Sequence, residues 1–130
     1  MSRSRAVRSV HSVLLGAMLG LLAATASAEP PPKAQREIDQ LIDALGRSGC
    51  EFQRNGKWYP AGEAQTHLRR KYDYLRKRDL VANAEQFIER AGTESSMSGK
   101  PYQVRCPGQA AVSSADWLGM RLSAIRHAKP

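Results

Sequence analysis

The chain has 130 residues, 20 Lys and Arg against 12 Asp and Glu, and a formal net charge of +8. With 42% hydrophobic and 25% charged residues, its composition is that of an ordinary soluble globular domain, and its length holds one domain rather than a multidomain enzyme. Two cysteines exclude a multi-cysteine zinc cluster and a disulfide-dense toxin scaffold.

Residues 1–28 read as a cleavable secretory signal peptide. Arg3, Arg5 and Arg8 supply the positive start, residues 13–24 form an apolar run, and Ala26-Ser27-Ala28 is an A-x-A cleavage site before Glu29 and Pro30. The run is too short for a transmembrane helix, which takes about 20 residues. No Cys follows it, so a lipid anchor is not expected, and no adjacent arginines point to twin-arginine export. Cleavage after Ala28 takes three Arg and no acid, so 130 residues become 102, 20 basic residues become 17 against 12 acids, and the charge falls to +5. The expected product is periplasmic or secreted, with no transmembrane segment left.

A flexible leader is expected at 29–33 and a single domain at 34–127. Ile38, Leu41, Ile42 and Leu45 repeat at i, i+3, i+4 and i+7, which predicts a helix over 34–48 ended by Gly49. Asn55-Gly56 favours a two-residue type I′ turn, so a hairpin pairs Arg54 with Lys57, Gln53 with Trp58 and Phe52 with Tyr59. Alternation puts Cys50, Phe52 and Tyr59 on one face. A second helix runs from Pro60 to about residue 78, with Ala61, Ala64, Leu68, Tyr72 and Leu75 in one arc of about 80°. Asn83 caps a short third helix, with Gln86 at the capping-box position, Ala84, Phe87, Ile88 and Ala91 inward, and Gly92 at its end. Residues 93–101 are a loop by composition. A strand at 102–106 alternates Tyr102, Val104 and Cys106 on one face and joins the hairpin as a third strand. Ser114 is expected to cap a last helix that buries Leu118, Leu122 and Ile125, flanked by Trp117. The fold class is α+β: helix-rich, about four helices with a small antiparallel sheet.

Export and an even count make a Cys50–Cys106 disulfide the default. Each cysteine lies on the apolar face of its strand, so neighbouring strands bring both sulfurs into one core layer.

Several short pieces together carry a family likeness: Ser48-Gly49-Cys50 with Phe52, Arg54-Asn55-Gly56-Lys57-Trp58-Tyr59, His67-Leu68, Lys71-Tyr72, Phe87-Ile88, and Val104-Arg105-Cys106-Pro107-Gly108. Over about residues 35–126 the chain resembles the YfeK-like family of small exported proteins of Gram-negative bacteria, a domain of unknown function. It departs from that pattern at Asp79, where the family has Gly, and at Asn83, where it has Ser. The resemblance implies a periplasmic or secreted location and no activity.

Glu63, His67 and Lys71 form an i, i+4, i+8 ladder along one flank of the second helix, next to Tyr74 and the apolar arc. A carboxylate beside an imidazole can orient a general base, with Ser96 or Ser98 of the loop as nucleophile. The alternative is a structural ladder, part-buried and docked on the 95–98 loop and Arg105. The serines fit neither the nucleophile-elbow nor the Walker spacing, which favours a hydrogen-bonded loop. Trp58 is a binding anchor if its sheet face is open; burial under the last helix with Trp117 is the expectation. Lys71, Tyr74, Trp58 and Arg105 complete the candidate binding residues. Two histidines after residue 28, without H-x₃-H or H-E-x-x-H spacing, call for no metal, and no cofactor is expected. Basic residues from Arg69 to Arg78 spread too widely for a nucleic-acid stripe. The reading is a non-catalytic binding or structural domain whose partner is an envelope protein or an anionic envelope component, with the small hydrolase as its rival.

Overall fold

The computed structural model describes residues 29–128 together with Gly16, Ala17 and Gly20; the rest of the signal-peptide reading lies outside the described residues. Helix α1 (Pro32–Arg47) starts two residues earlier than expected, because Pro32 carries the preset φ that suits a first helical position. It thereby takes in the last two residues of the expected leader. Pro30 is buried and its carbonyl accepts from Gln35 Nε2 at 2.7 Å, which anchors the segment that was expected to be flexible. Ile38, Leu41, Ile42 and Leu45 are fully buried.

Strands β1 (Glu51–Arg54) and β2 (Lys57–Pro60) form the expected hairpin in the expected register. Asn55 and Gly56 both hold positive φ, at 51° and 79°, as a type I′ turn requires. Helix α2 (Ala61–Arg76) leaves β2 without a loop, Pro60 serving as its N-cap residue. It stops before residue 78, because the chain turns back at Asp79, whose φ of 56° is the left-handed conformation that Gly adopts most easily. Helix α3 (Ala84–Ala91) is capped by Asn83 Oδ1, which accepts from the Gln86 N–H at 2.8 Å. Gln86 Oε1 reaches back to the Ala82 N–H, one residue before the partner a capping box would use.

Strand β3 (Gln103–Arg105) pairs antiparallel with β1, and a fourth strand, β4 (Val112–Ser113), pairs with β3. The sheet order is β2-β1-β3-β4. Two residues are too few to show an alternation, so β4 left no periodic signal in the sequence. Helix α4 (Ser114–His127) follows at once, and its cap is Ser113, whose Oγ accepts from the Asp116 N–H at 3.1 Å. Ser114, the expected cap, is instead the buried first helical residue.

One face of the sheet, presenting Cys50, Phe52, Tyr102 and Val104, packs with apolar residues of all four helices into a single core. Cys50 and Cys106 are joined, tying the chain just before β1 to the end of β3. Arg126 of α4 binds Glu37 of α1 through two nitrogens, at 2.7 and 3.1 Å, and also holds Glu85 of α3. This pinning of three helices had no pattern in the sequence, since its members are far apart in the chain.

Gly92 ends α3 without a left-handed conformation, at φ −99°. Its role is close approach: a Cβ there would stand 2.5 Å from Leu118 Cδ1 of α4. Gly92→Ala forces the fully buried Leu118 aside, and urea denaturation should show a loss of about 1–2 kcal/mol.

The opposite face of the sheet carries Trp58. It is half-buried, with the Arg105 guanidinium 4.1 Å above its ring, and not beneath α4 with Trp117 as expected. The reason is register: Trp58 pairs with Gln53, and alternation turns that row away from Phe52 and the helices. Trp117 stands across the sheet, on the groove beside the disulfide.

Candidate functional site

Strand alternation sends Arg54 to the same face as Phe52 and Cys50, and Tyr102 to the same face as Val104. Both side chains therefore reach toward α2, where His67 and Lys71, one turn apart, face the sheet. Arg54 Nη1 lies 2.7 Å from His67 Nδ1. A guanidinium only donates, so Nδ1 accepts, and the neutral ring keeps its proton on Nε2. Nε2 then donates to Tyr102 Oη at 3.1 Å. Lys71 Nζ donates to the same oxygen at 3.1 Å and to the Glu94 carbonyl at 3.0 Å. The result is one continuous chain of hydrogen bonds from β1 through α2 and Tyr102, just before β3, to the start of the serine loop.

The rings add to this cluster. Phe52 and Tyr102 stand 4.9 Å apart, His67 meets Tyr102 edge-on at 5.6 Å, and the Lys71 ammonium lies 4.9 Å from the Tyr102 ring centre. Burial, reinforced by the charges of Arg54, Lys71 and Arg70, pushes the His67 pKa down to about 4. Burial also lowers Lys71, an effect opposed by Glu94, and raises the Tyr102 phenol, an effect opposed by Arg54. His67 is accordingly a neutral imidazole near pH 7, with its one free lone pair already given to Arg54.

The other expected members of the ladder are elsewhere. Glu63 is exposed on the first turn of α2 and makes no hydrogen bond with His67. Tyr74, expected to be part-buried, is 57% exposed, with the Arg78 guanidinium stacked 3.6 Å over its ring. Arg105 does not reach the flank, because it sits one residue after Val104 and so on the far side of the sheet, bound to Glu51 at 3.2 Å. Arg54 and Tyr102 take the place assigned to the serines and Arg105. The hairpin register already carried a signal for Arg54, which falls two residues after Phe52. For Tyr102 the signal was its hydroxyl, which needs a partner once its ring is buried.

Ser96 and Ser98 are exposed, and among the described residues no serine hydroxyl bonds His67. The loop uses its hydroxyls on itself. Ser95 Oγ accepts from the Met97 and Ser98 N–H groups, both at 3.3 Å, and Ser98 Oγ donates to Asn55 Oδ1 at 2.5 Å. Backbone bonds between Ser95 and Lys100 and between Gly99 and Ser95 close it. It is a docked loop, held against the hairpin turn.

Beside His67 lies a pocket of about 320 Å³ between the hairpin and the first turns of α2, walled by Phe52, Tyr59, Arg54, Glu63, His67 and Arg70. A shallower groove of about 710 Å³ runs between α1 and α4 past the disulfide and Trp117. Among the described residues no cluster of three or more His, Cys, Asp or Glu side chains has the geometry to hold a metal ion, and no helix is long and apolar enough to cross a membrane.

The chain is similar to the Uncharacterized protein YfeK of Salmonella typhimurium, with 38% identity over 69 residues, which is 52% of this chain and 56% of that relative. It thus spans little more than half the length of the curated relative it matches. No solved structure matches it. A family model described as a family of unknown function matches residues 32–126, from the first residue of α1 into the last turn of α4. That match takes in every helix and strand described above, and the chain belongs to this family, DUF5329.

Proposed function

We propose that this chain is an exported, non-catalytic binding domain of the cell envelope, processed after Ala28. The observation that carries the non-catalytic reading is the saturation of His67. A general base needs a free lone pair within reach of the proton it takes. On His67 that lone pair accepts from Arg54, and the opposite nitrogen is committed to Tyr102. The rival hydrolase of His67, Glu63 and a serine of the 95–98 loop lacks the contact it requires. Export is supported by the sequence of residues 1–28 and by a disulfide of the kind that persists in oxidising compartments. The processed charge of +5 suits an anionic envelope component or an acidic face of an envelope protein as partner.

Intact-mass measurement on protein recovered from its native compartment is expected to give a chain starting at Glu29, with Cys50 and Cys106 linked. A species that retains Arg3, or one with free thiols, defeats the export reading. A fluorophosphonate probe on the same sample is expected to label no serine. His67-dependent labelling of Ser96 or Ser98 would restore the hydrolase.

A further inference from the structure

We propose that the pocket between the hairpin and α2 binds a small organic acid, one carboxylate on an apolar body. The inference rests on the reading above in one respect: the pocket holds its ligand and does not turn it over. Arg54 is half-buried at the pocket wall, and among the described residues no carboxylate pairs with it or with Arg70. The other two half-buried arginines do find acids: Arg69 has Asp39 and Arg76 has Asp73. Arg54 has only a neutral imidazole and the face of Tyr59, 4.9 Å from its guanidinium carbon. A carboxylate entering the pocket gives this guanidinium the charge-assisted hydrogen bonds that its neutral partners do not supply.

The second observation is the local field. Of the charged side chains that line the pocket, Arg54 and Arg70 are positive and Glu63 is negative, a net charge of +1. Third is the shape. At about 320 Å³ the pocket lies at the lower end of the roughly 300–1,000 Å³ range of small-molecule sites. Phe52 and Tyr59 give it apolar walls for a ring or a short aliphatic body.

Glu63 decides the charge of the head group. It lines the same pocket, so a second negative charge on the ligand meets a carboxylate there. One charge suits Arg54 and Arg70; the dianion of a phosphate monoester is penalised.

The test is a titration of the isotope-labelled protein, recovered from its native compartment, followed by NMR. Sodium benzoate is the probe, with benzamide as its neutral isostere and inorganic phosphate as the more highly charged anion. Benzoate is expected to shift the amides of Arg54 and of Gly62, which also lines the pocket, saturably and to raise the His67 pKa. Benzamide is expected to bind roughly ten-fold or more weakly, having lost the charge-assisted bonds, and phosphate more weakly than benzoate. Arg70→Ala, at an exposed position, is expected to weaken benzoate about five-fold, and Glu63→Gln to tighten it about three-fold by removing a like charge. No saturable shift, benzamide equal to benzoate, phosphate stronger than benzoate, or weaker binding in Glu63→Gln would each overturn the inference and leave the non-catalytic reading intact. Hydrolysis of phenyl acetate, inhibited competitively by benzoate, would defeat the non-catalytic reading and leave the binding site standing.

Discussion

Replacing both cysteines, as Cys50→Ala with Cys106→Ala, is expected to cost this protein roughly 4 kcal/mol, from the loop-closure entropy of a crosslink spanning 56 positions. The loss is large because the link restrains a pairing that is itself short. Strand β1 meets β3 over three residue pairs, from Glu51 with Arg105 to Gln53 with Gln103. For a domain of this size the loss amounts to a fall in melting temperature of roughly 15–30 °C. Calorimetry of the double variant against the oxidised parent measures it. The fold is expected to survive in the cold, because most of the core, built on Phe52, Tyr102 and apolar residues of the four helices, stays in place without the sulfurs. A fall of only a few degrees would show that the unfolded chain gains little freedom from losing the link.

The second large effect is a pH dependence that belongs to His67. Its folded pKa of about 4 lies below the ordinary imidazole value of 6.5, chiefly because the ring is buried. As the pH drops through 6.5, the unfolded chain takes a proton on this ring that the folded chain refuses, so stability falls with falling pH. The contribution is complete above about pH 7 and fully lost below about pH 4. His67 is only half-buried and partly screened by solvent, so between pH 7 and pH 5 the loss is about 1–2 kcal/mol. Glu37 and Glu85, whose pKa values are lowered by their hydrogen bonds to Arg126, add their own losses only at lower pH, as they take protons. Urea midpoints at pH 7 and pH 5 therefore isolate His67. His67→Gln is expected to lower the stability at pH 7, through weakened contacts with Tyr102 and Phe52, and to abolish the slope. A parent protein equally stable at both pH values would refute the assignment of a neutral, saturated His67.

Local pattern by itself determined most of this architecture. The Asn55-Gly56 turn specified one hairpin register, and a register specifies every side chain's face, so Phe52, Tyr59, Trp58 and Gln53 were placed without any tertiary information. The i, i+3, i+4 stripes of the helices worked for the same reason: burial of a continuous apolar stripe outweighs other preferences. The disulfide was legible because both cysteines continue the inward-facing rows of strands that pair, Cys50 one residue before β1 and Cys106 one residue after β3. Tertiary structure decided what happens at the borders of those stripes. His67 and Lys71 sit on α2 just where it crosses the sheet, so they are covered; Glu63 precedes that crossing and Tyr74 lies on the outer side, so both stay in solvent. Helical spacing gives the angle of a residue but not which neighbour arrives there. That neighbour was Tyr102, 35 positions from His67, whose buried ring brought a hydroxyl that had to be satisfied. The same holds for Trp58, left half-buried under Arg105 because all four helices pack on the other side of the sheet, and for Arg54, whose missing carboxylate becomes visible only once every acid has been placed.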